Sequence, residues 1–275
     1  MERRDFLERL LGPMIAMVGG IPLASHGAES RGWAAANQSE GEEAGAGVVG
    51  GPIKYPAPGA TLEGYLAKPR SAGPHPTVLL VHANNGLEDH IRDVARRYAE
   101  AGFVALAVDQ LSRQGGTASF ASLDTVRKNI EALSGAEVIA DLDAAFVYLQ
   151  SNPSVRQDRI GVTGFAWGGR MAFLYAASNP RLKAAVVFYG AAPPEERLAE
   201  INCPVLAHYG KNDLRMSSEV SEITALMKQY GKSYHPKIHP AAGEAFFNDT
   251  NPAYNGASAQ DAWERTIAFF AKNLG

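Results

Sequence analysis

The sequence predicts an α/β protein: a mostly parallel sheet with helices on both faces. Two observations carry that expectation. Short continuous apolar runs such as Thr77-Val78-Leu79-Leu80-Val81 alternate with longer amphipathic segments such as Asp89 to Ala101. Strands that are apolar on both sides belong in parallel sheets sheltered by helices. The second observation is Gly164-Phe165-Ala166-Trp167-Gly168-Gly169, whose closely spaced glycines suit a sharp turn from a strand into a helix. With 275 residues, 46% hydrophobic and 20% charged, the chain can bury one large core, so a single catalytic-size domain is expected.

Taken in order, the chain begins with an address. Arg3-Arg4-Asp5-Phe6-Leu7 precedes a modestly apolar stretch, Leu10 to Ala24, and residues 1–25 fit a twin-arginine export signal. The expected destination is the periplasm, or the cytoplasm if the signal does not function. Gly12, Pro13, Gly19, Gly20 and Pro22 break the run, which is too short to be a spanning helix, so no stable membrane insertion is expected. Residues 26–47 are rich in Gly, Ala, Ser, Glu and Asn and read as linker, because they cannot supply a core. The folded domain is then 48–275.

Within it, the strand at Thr77–Val81 leads to a charged amphipathic helix from Asp89, stopped by Gly102. A strand at Val104–Val108 follows, then a helix from Ala136 to Gln150, a strand at Ile160–Thr163 and a helix from Gly168 to Ser178. Ala184 to Tyr189, Val205 to Tyr209 and Tyr234 to His239 read as strands, with Ser217 to Tyr230 and Ala257 to Asn273 as the intervening and closing segments. Ligands of such sheets sit beyond the C-terminal ends of strands. The informative residues are therefore His82 to Gly86, Asp109 to Thr117, Ala166-Trp167, Asp213 and Gly243 to Asp249.

Charge excludes several partners. The balance of 26 basic and 29 acidic residues, net −3, offers no footprint for nucleic acid and no polybasic membrane patch. A small molecule is the expected partner. The single cysteine, Cys203, excludes an internal disulfide and reads as a buried thiol. His235 and His239 face one way along a strand without a third placed ligand, so no metal is expected and no cofactor is implied. Ser112, Ser217 and Ser218 read as caps or turn residues.

The strand-end segments resemble the dienelactone hydrolase family of α/β-hydrolases. The resemblance is carried by His82-Ala83-Asn84-Asn85-Gly86-Leu87 with Asp89 to Arg97, by Asp109 to Thr117, Gly164 to Gly169 and Phe188-Tyr189-Gly190, and by Asp213, Phe246 to Asp249 and Ala262-Trp263. It implies the α/β-hydrolase fold over Val48 to Leu274. It also implies a cysteine nucleophile at the turn, a histidine before the Phe246-Phe247 pair and a glutamate after His82. This chain carries Ala166, Glu244 and Ala83 at those places, and only the acid, Asp213, matches.

A methyl group cannot attack a carbonyl, so acyl-enzyme chemistry is not expected here. The oxyanion donors are main-chain groups and survive substitution: the amide of Trp167 and one from Ala83 or Asn84. Glu244 then takes the general-base position, with Asp213 as its expected neighbour and partial burial raising the affinity of one carboxylate for its proton. Such a site suits activation of water, or abstraction of a proton next to a carbonyl. A catalytically inactive ligand-binding protein is the competing expectation. His82 reads as a packed core histidine bordering the pocket, with Asn85, Arg113, Phe246 and Tyr254 as further pocket residues.

Overall fold

A computed structural model describes residues 43–45 and 47–275. The expected export signal, 1–25, lies outside the described residues. So does most of the expected linker, although Glu43–Gly45 within it pairs into the sheet as strand β1.

Among the described residues the sheet has nine strands. After β1 come β2 (Val48–Ala57), β3 (Ala60–Pro69), β4 (His75–Val81), β5 (Val104–Val108) and β6 (Val155–Phe165). They are followed by β7 (Ala185–Phe188), β8 (Val205–Gly210) and β9 (Tyr234–His239). The order across the sheet is β1-β2-β3-β5-β4-β6-β7-β8-β9. From β5 to β9 every pairing is parallel, while β1, β2 and β3 join antiparallel at one edge.

The parallel part follows from side-chain alternation. In β4, Leu79 and Val81 enter one core while Val78 and Leu80 enter the other, and all four are fully buried. Each such side chain contributes on the order of 1.5–3 kcal/mol by leaving water. The first core is covered by helices α3 (Gly135–Ser151) and α4 (Trp167–Ser178). The second is covered by α1 (Asp89–Glu100) and α8 (Gly256–Leu274). Helix α3 opens on a capping box in which Ser134 and Glu137 exchange side-chain and backbone bonds. Between β5 and α3 stands a helix the periodicity did not announce, α2 (Leu123–Ala132), capped by Ser122. Short helices α5 (Glu195–Leu198) and α6 (Leu214–Ser217) and the longer α7 (Val220–Gln229) complete the chain.

Two histidines are embedded in the second core. His208 Nδ1 lies 3.1 Å from His239 Nε2, His208 Nε2 lies 3.2 Å from Thr266 Oγ1, and His239 Nδ1 faces Asp261 at 3.5 Å. One tautomer set satisfies the chain: Thr266 donates to His208, His208 to His239, and the His239 Nδ1–H points at the carboxylate. Burial pushes His208 down to about 3 and His239 to about 4. An unfolded histidine titrates near 6.5, so between about pH 6.5 and 4 the unfolded chain binds more protons than the folded one. Stability is therefore whole above that window and falls as pH drops through it, by about 1.4 kcal/mol per pH unit for each histidine. Thermal melts across pH 4.5–7.5 are expected to show this loss, with a shallower slope in His208→Asn/His239→Gln; identical slopes would refute the assignment.

Candidate active site

Strand β6 and helix α4 meet in a turn that admits no ordinary relaxation. Ala166 sits at φ 50 and ψ −113, outside the regions a side-chain-bearing residue favours. The glycines around it are there for space. A Cβ on Gly164 would stand 2.1 Å from the carbonyl oxygen of Gly168, one on Gly168 2.2 Å from that of His82, and one on Gly169 2.7 Å from that of Phe188. The Ala166 amide donates to Phe188 O at 3.0 Å and its carbonyl accepts from Arg170 N–H at 3.0 Å. Held this way, the Trp167 amide is among the first N–H groups of α4, which have no partner inside a helix.

The loop after β4 carries Ala83 and Asn84. His82 is fully buried, its Nδ1–H donating to Ala83 O at 2.7 Å while its Nε2 accepts from Gln110 N–H at 3.1 Å. Burial lowers its proton affinity, and both nitrogens are engaged. His82 is thus a tie holding the loop, stacked on Trp167 at 6.0 Å, as a core histidine should be. Gly86 folds back onto Ala83 O, and Leu87 N–H donates to Thr117 Oγ1, itself fixed by Asp109. Asn85 accepts from Arg127 Nε at 3.1 Å and donates to Glu88 at 3.4 Å.

On the other side of β6 stand the loops after β8 and β9. Main-chain bonds stitch them together: Lys211 N–H to His239 O and Asn212 N–H to Ala242 O, both 2.9 Å. Asp213 caps α6 through the Met216 amide, and its buried Oδ2 has no hydrogen-bond partner in the described residues. Glu244 differs from expectation. Its side chain is 51% exposed, with one carboxylate oxygen 3.9 Å from the Arg215 guanidinium, so it lacks the burial expected among Phe246, Phe247 and Trp167. The next residue, Ala245, is held at φ 60. Tyr189, at φ 41 after β7, feels Glu244: burial and then that carboxylate push its phenol up.

The remaining pocket candidates divide. Phe246 is fully buried, packed edge-on to Tyr189. Tyr254 is 47% exposed at the surface. Arg113 turns away from the pocket: its guanidinium forks onto Asp141 of α3 at 2.7 and 2.9 Å and reaches Pro58 O. It anchors the loop after β5 to that helix. Ser112 is likewise structural, accepting from Glu63 N–H at 2.8 Å. Cys203 is buried, and burial pushes its thiol up to about 12, which makes it inert. No metal-binding cluster occurs among the described residues.

Sequence inspection missed Arg215, Arg127, Glu88 and a clasp at the rim. Asp249, beyond Phe247, bonds Arg97 and lies 3.1 Å from His90 Nδ1, both on α1. No spacing rule joins residues so far apart in the chain. The signal in the sequence is the resemblance, whose matching pieces include Asp89 to Arg97 and Phe246 to Asp249.

A family model described as "Dienelactone hydrolase family" matches residues 62–274. A "Putative carboxymethylenebutenolidase" of Methylorubrum extorquens is 34% identical over 236 residues, spanning 82% of this chain and 81% of the relative. One from Escherichia coli K12 is 35% identical over 244 residues, spanning 83% and 89%. The crystal structure of a "Putative Dienelactone Hydrolase" from Klebsiella pneumoniae superposes with a TM-score of 0.76 at 33% identity, covering 82% of this chain and 99% of that one.

Proposed function

Because the chain belongs to the dienelactone hydrolase family of α/β-hydrolases, we propose that it binds a small ester, lactone or related carbonyl compound at Ala166 and acts on it without an acyl-enzyme. The observation that carries this reading is the turn itself. A methyl-bearing residue stays at φ 50 and ψ −113, ringed by glycines that leave no room for a Cβ, so the geometry that presents the Trp167 amide to a carbonyl oxygen is kept although nothing there can attack.

A carbonyl in that position is polarised by Trp167 N–H and by the amide of Ala83 or Asn84. The nucleophile is a water held between the two stitched loops, beside Asp213. Glu244, on the second of them, accepts its proton as it attacks. The same base removes a proton next to the carbonyl when the ligand is an enolisable ketone, giving isomerisation or elimination instead.

Glu244→Gln is expected to cut turnover of the best small ester or lactone by about 10²–10⁴-fold, while calorimetric affinity for phenylacetone, which has no leaving group, changes little. Unchanged turnover would remove Glu244 from the mechanism. A second reading, a ligand-binding protein without catalysis, draws support from the half-exposed Glu244 and its contact with Arg215. Binding of small carbonyl compounds with no conversion of esters, lactones or enolisable ketones would select it.

A further inference from the structure

Strand β6, which leads into the turn at Ala166, is flanked by β4 on one side and by β7, β8 and β9 on the other. Asp213 and Glu244 belong to the second flank. The first flank also carries a carboxylate, on the very loop that supplies the oxyanion amide: Glu88, five residues beyond Ala83. We propose that Glu88 is the proton donor to the leaving group, opposed to Glu244 across Ala166. This rests on the water-mediated reading above.

Its setting is built. Asn85 donates to Glu88 Oε2 at 3.4 Å and accepts from Arg127 Nε at 3.1 Å, so the amide is fixed from both ends and presents its NH2 to the carboxyl group. Arg127 comes from α2, whose Val126 and Ile130 are buried with Leu111 in a small cluster against which Trp167 packs. The Arg127–Asn85–Glu88 line therefore runs from the helix covering Trp167 to the loop holding the oxyanion donors. Glu88 makes no ion pair within 4 Å among the described residues, and the charges that act on it are Arg127 from α2 and Asp89 from its own helix. Half-burial is the main influence on it and raises its proton affinity above that of an ordinary glutamate, partly offset by the Asn85 bond and Arg127.

The steps balance. Water oxygen bonds to the carbonyl carbon as Glu244 takes its proton. The bond from that carbon to the leaving oxygen then breaks, its electron pair passes to the oxygen, and the Glu88 carboxyl supplies a proton to it. Acid and alcohol leave, and one proton returns from Glu244 to Glu88 through solvent.

Leaving-group dependence tests this. p-Nitrophenolate departs without a proton, whereas ethoxide does not. In Glu88→Gln, kcat for ethyl acetate is expected to fall by about 100-fold and kcat for p-nitrophenyl acetate by less than about 3-fold, with the alkaline limb of the ethyl acetate pH profile lost. Glu88→Asp, which keeps a carboxyl, should recover part of the ethyl acetate rate, and matched melting curves exclude misfolding. Equal losses on both esters, or none on either, would overturn the proposal. In contrast, Glu244→Gln should depress both esters alike; if it depresses neither, or if the unsubstituted protein hydrolyses neither, the water-mediated reading itself fails and Glu88 loses its role with it.

Discussion

Ala166→Cys combined with Glu244→His is expected to create acyl-enzyme turnover of p-nitrophenyl acetate, with a burst of nitrophenol and an acetyl adduct detectable by mass. The scale of the gain follows from what triad groups supply together, roughly 10⁶-fold in well-studied hydrolases, of which a grafted site should recover at least about 10²-fold. Three features favour it. Position 166 already holds the strained conformation that exposes a nucleophile. The loops after β8 and β9 are joined through main-chain atoms, Asn212 to Ala242 and Lys211 to His239, so the span between positions 213 and 244 does not depend on the side chains there. Asp213 Oδ2 is unpartnered and can accept from an imidazole Nδ1–H, setting the tautomer that takes a proton from the thiol. Either single substitution should give little. An inert double variant that folds normally would show that position 244 does not face the turn.

Gly168→Ala is expected to be among the most damaging small substitutions in the described chain. Its Cβ would lie 2.2 Å from His82 O and 2.4 Å from Val81 O. Both are backbone atoms at the end of β4, so no rotamer change relieves the overlap and the strand must move away from α4. The cost should exceed about 3 kcal/mol, a fall in melting temperature of roughly 10 °C for a domain this size. Gly243→Ala is the control: nothing lies within 4 Å of its Cβ, and its melting temperature should move by no more than a degree or two. A Gly168→Ala protein as stable as the parent would mean that the turn is not packed as described.

The parallel strands were legible because they are buried on both faces: Val104–Val108 is apolar without interruption and every residue of it is buried. The antiparallel edge was not. Strands β2 and β3 carry Gly50, Gly51, Pro52, Pro56 and Gly64 with charges between them, a pattern that reads as loop. Among the described residues β1 pairs only Val48 to Gly50 of β2, so no described strand borders the outer side of Pro52, whose missing N–H breaks no ladder there. Helix α2 escaped for a related reason: only Val126 and Ile130 are buried, too sparse a stripe to stand out. In the site, the glycines of the turn are the positions that backbone demands make readable. Arg113 is marked in the sequence by strand-end position alone, and Glu244 by that position together with the family resemblance. What each side chain grips, Asp141 for one and Arg215 for the other, depends on segments far off in the chain.

The clasp of Asp249 on Arg97 and His90 has a mechanical corollary. It buckles the segment following β9 to the helix following β4, and so links elements whose strands lie on opposite sides of β6. Neither segment can swing outward without breaking that clasp or dragging the other, so the two are obliged to move together.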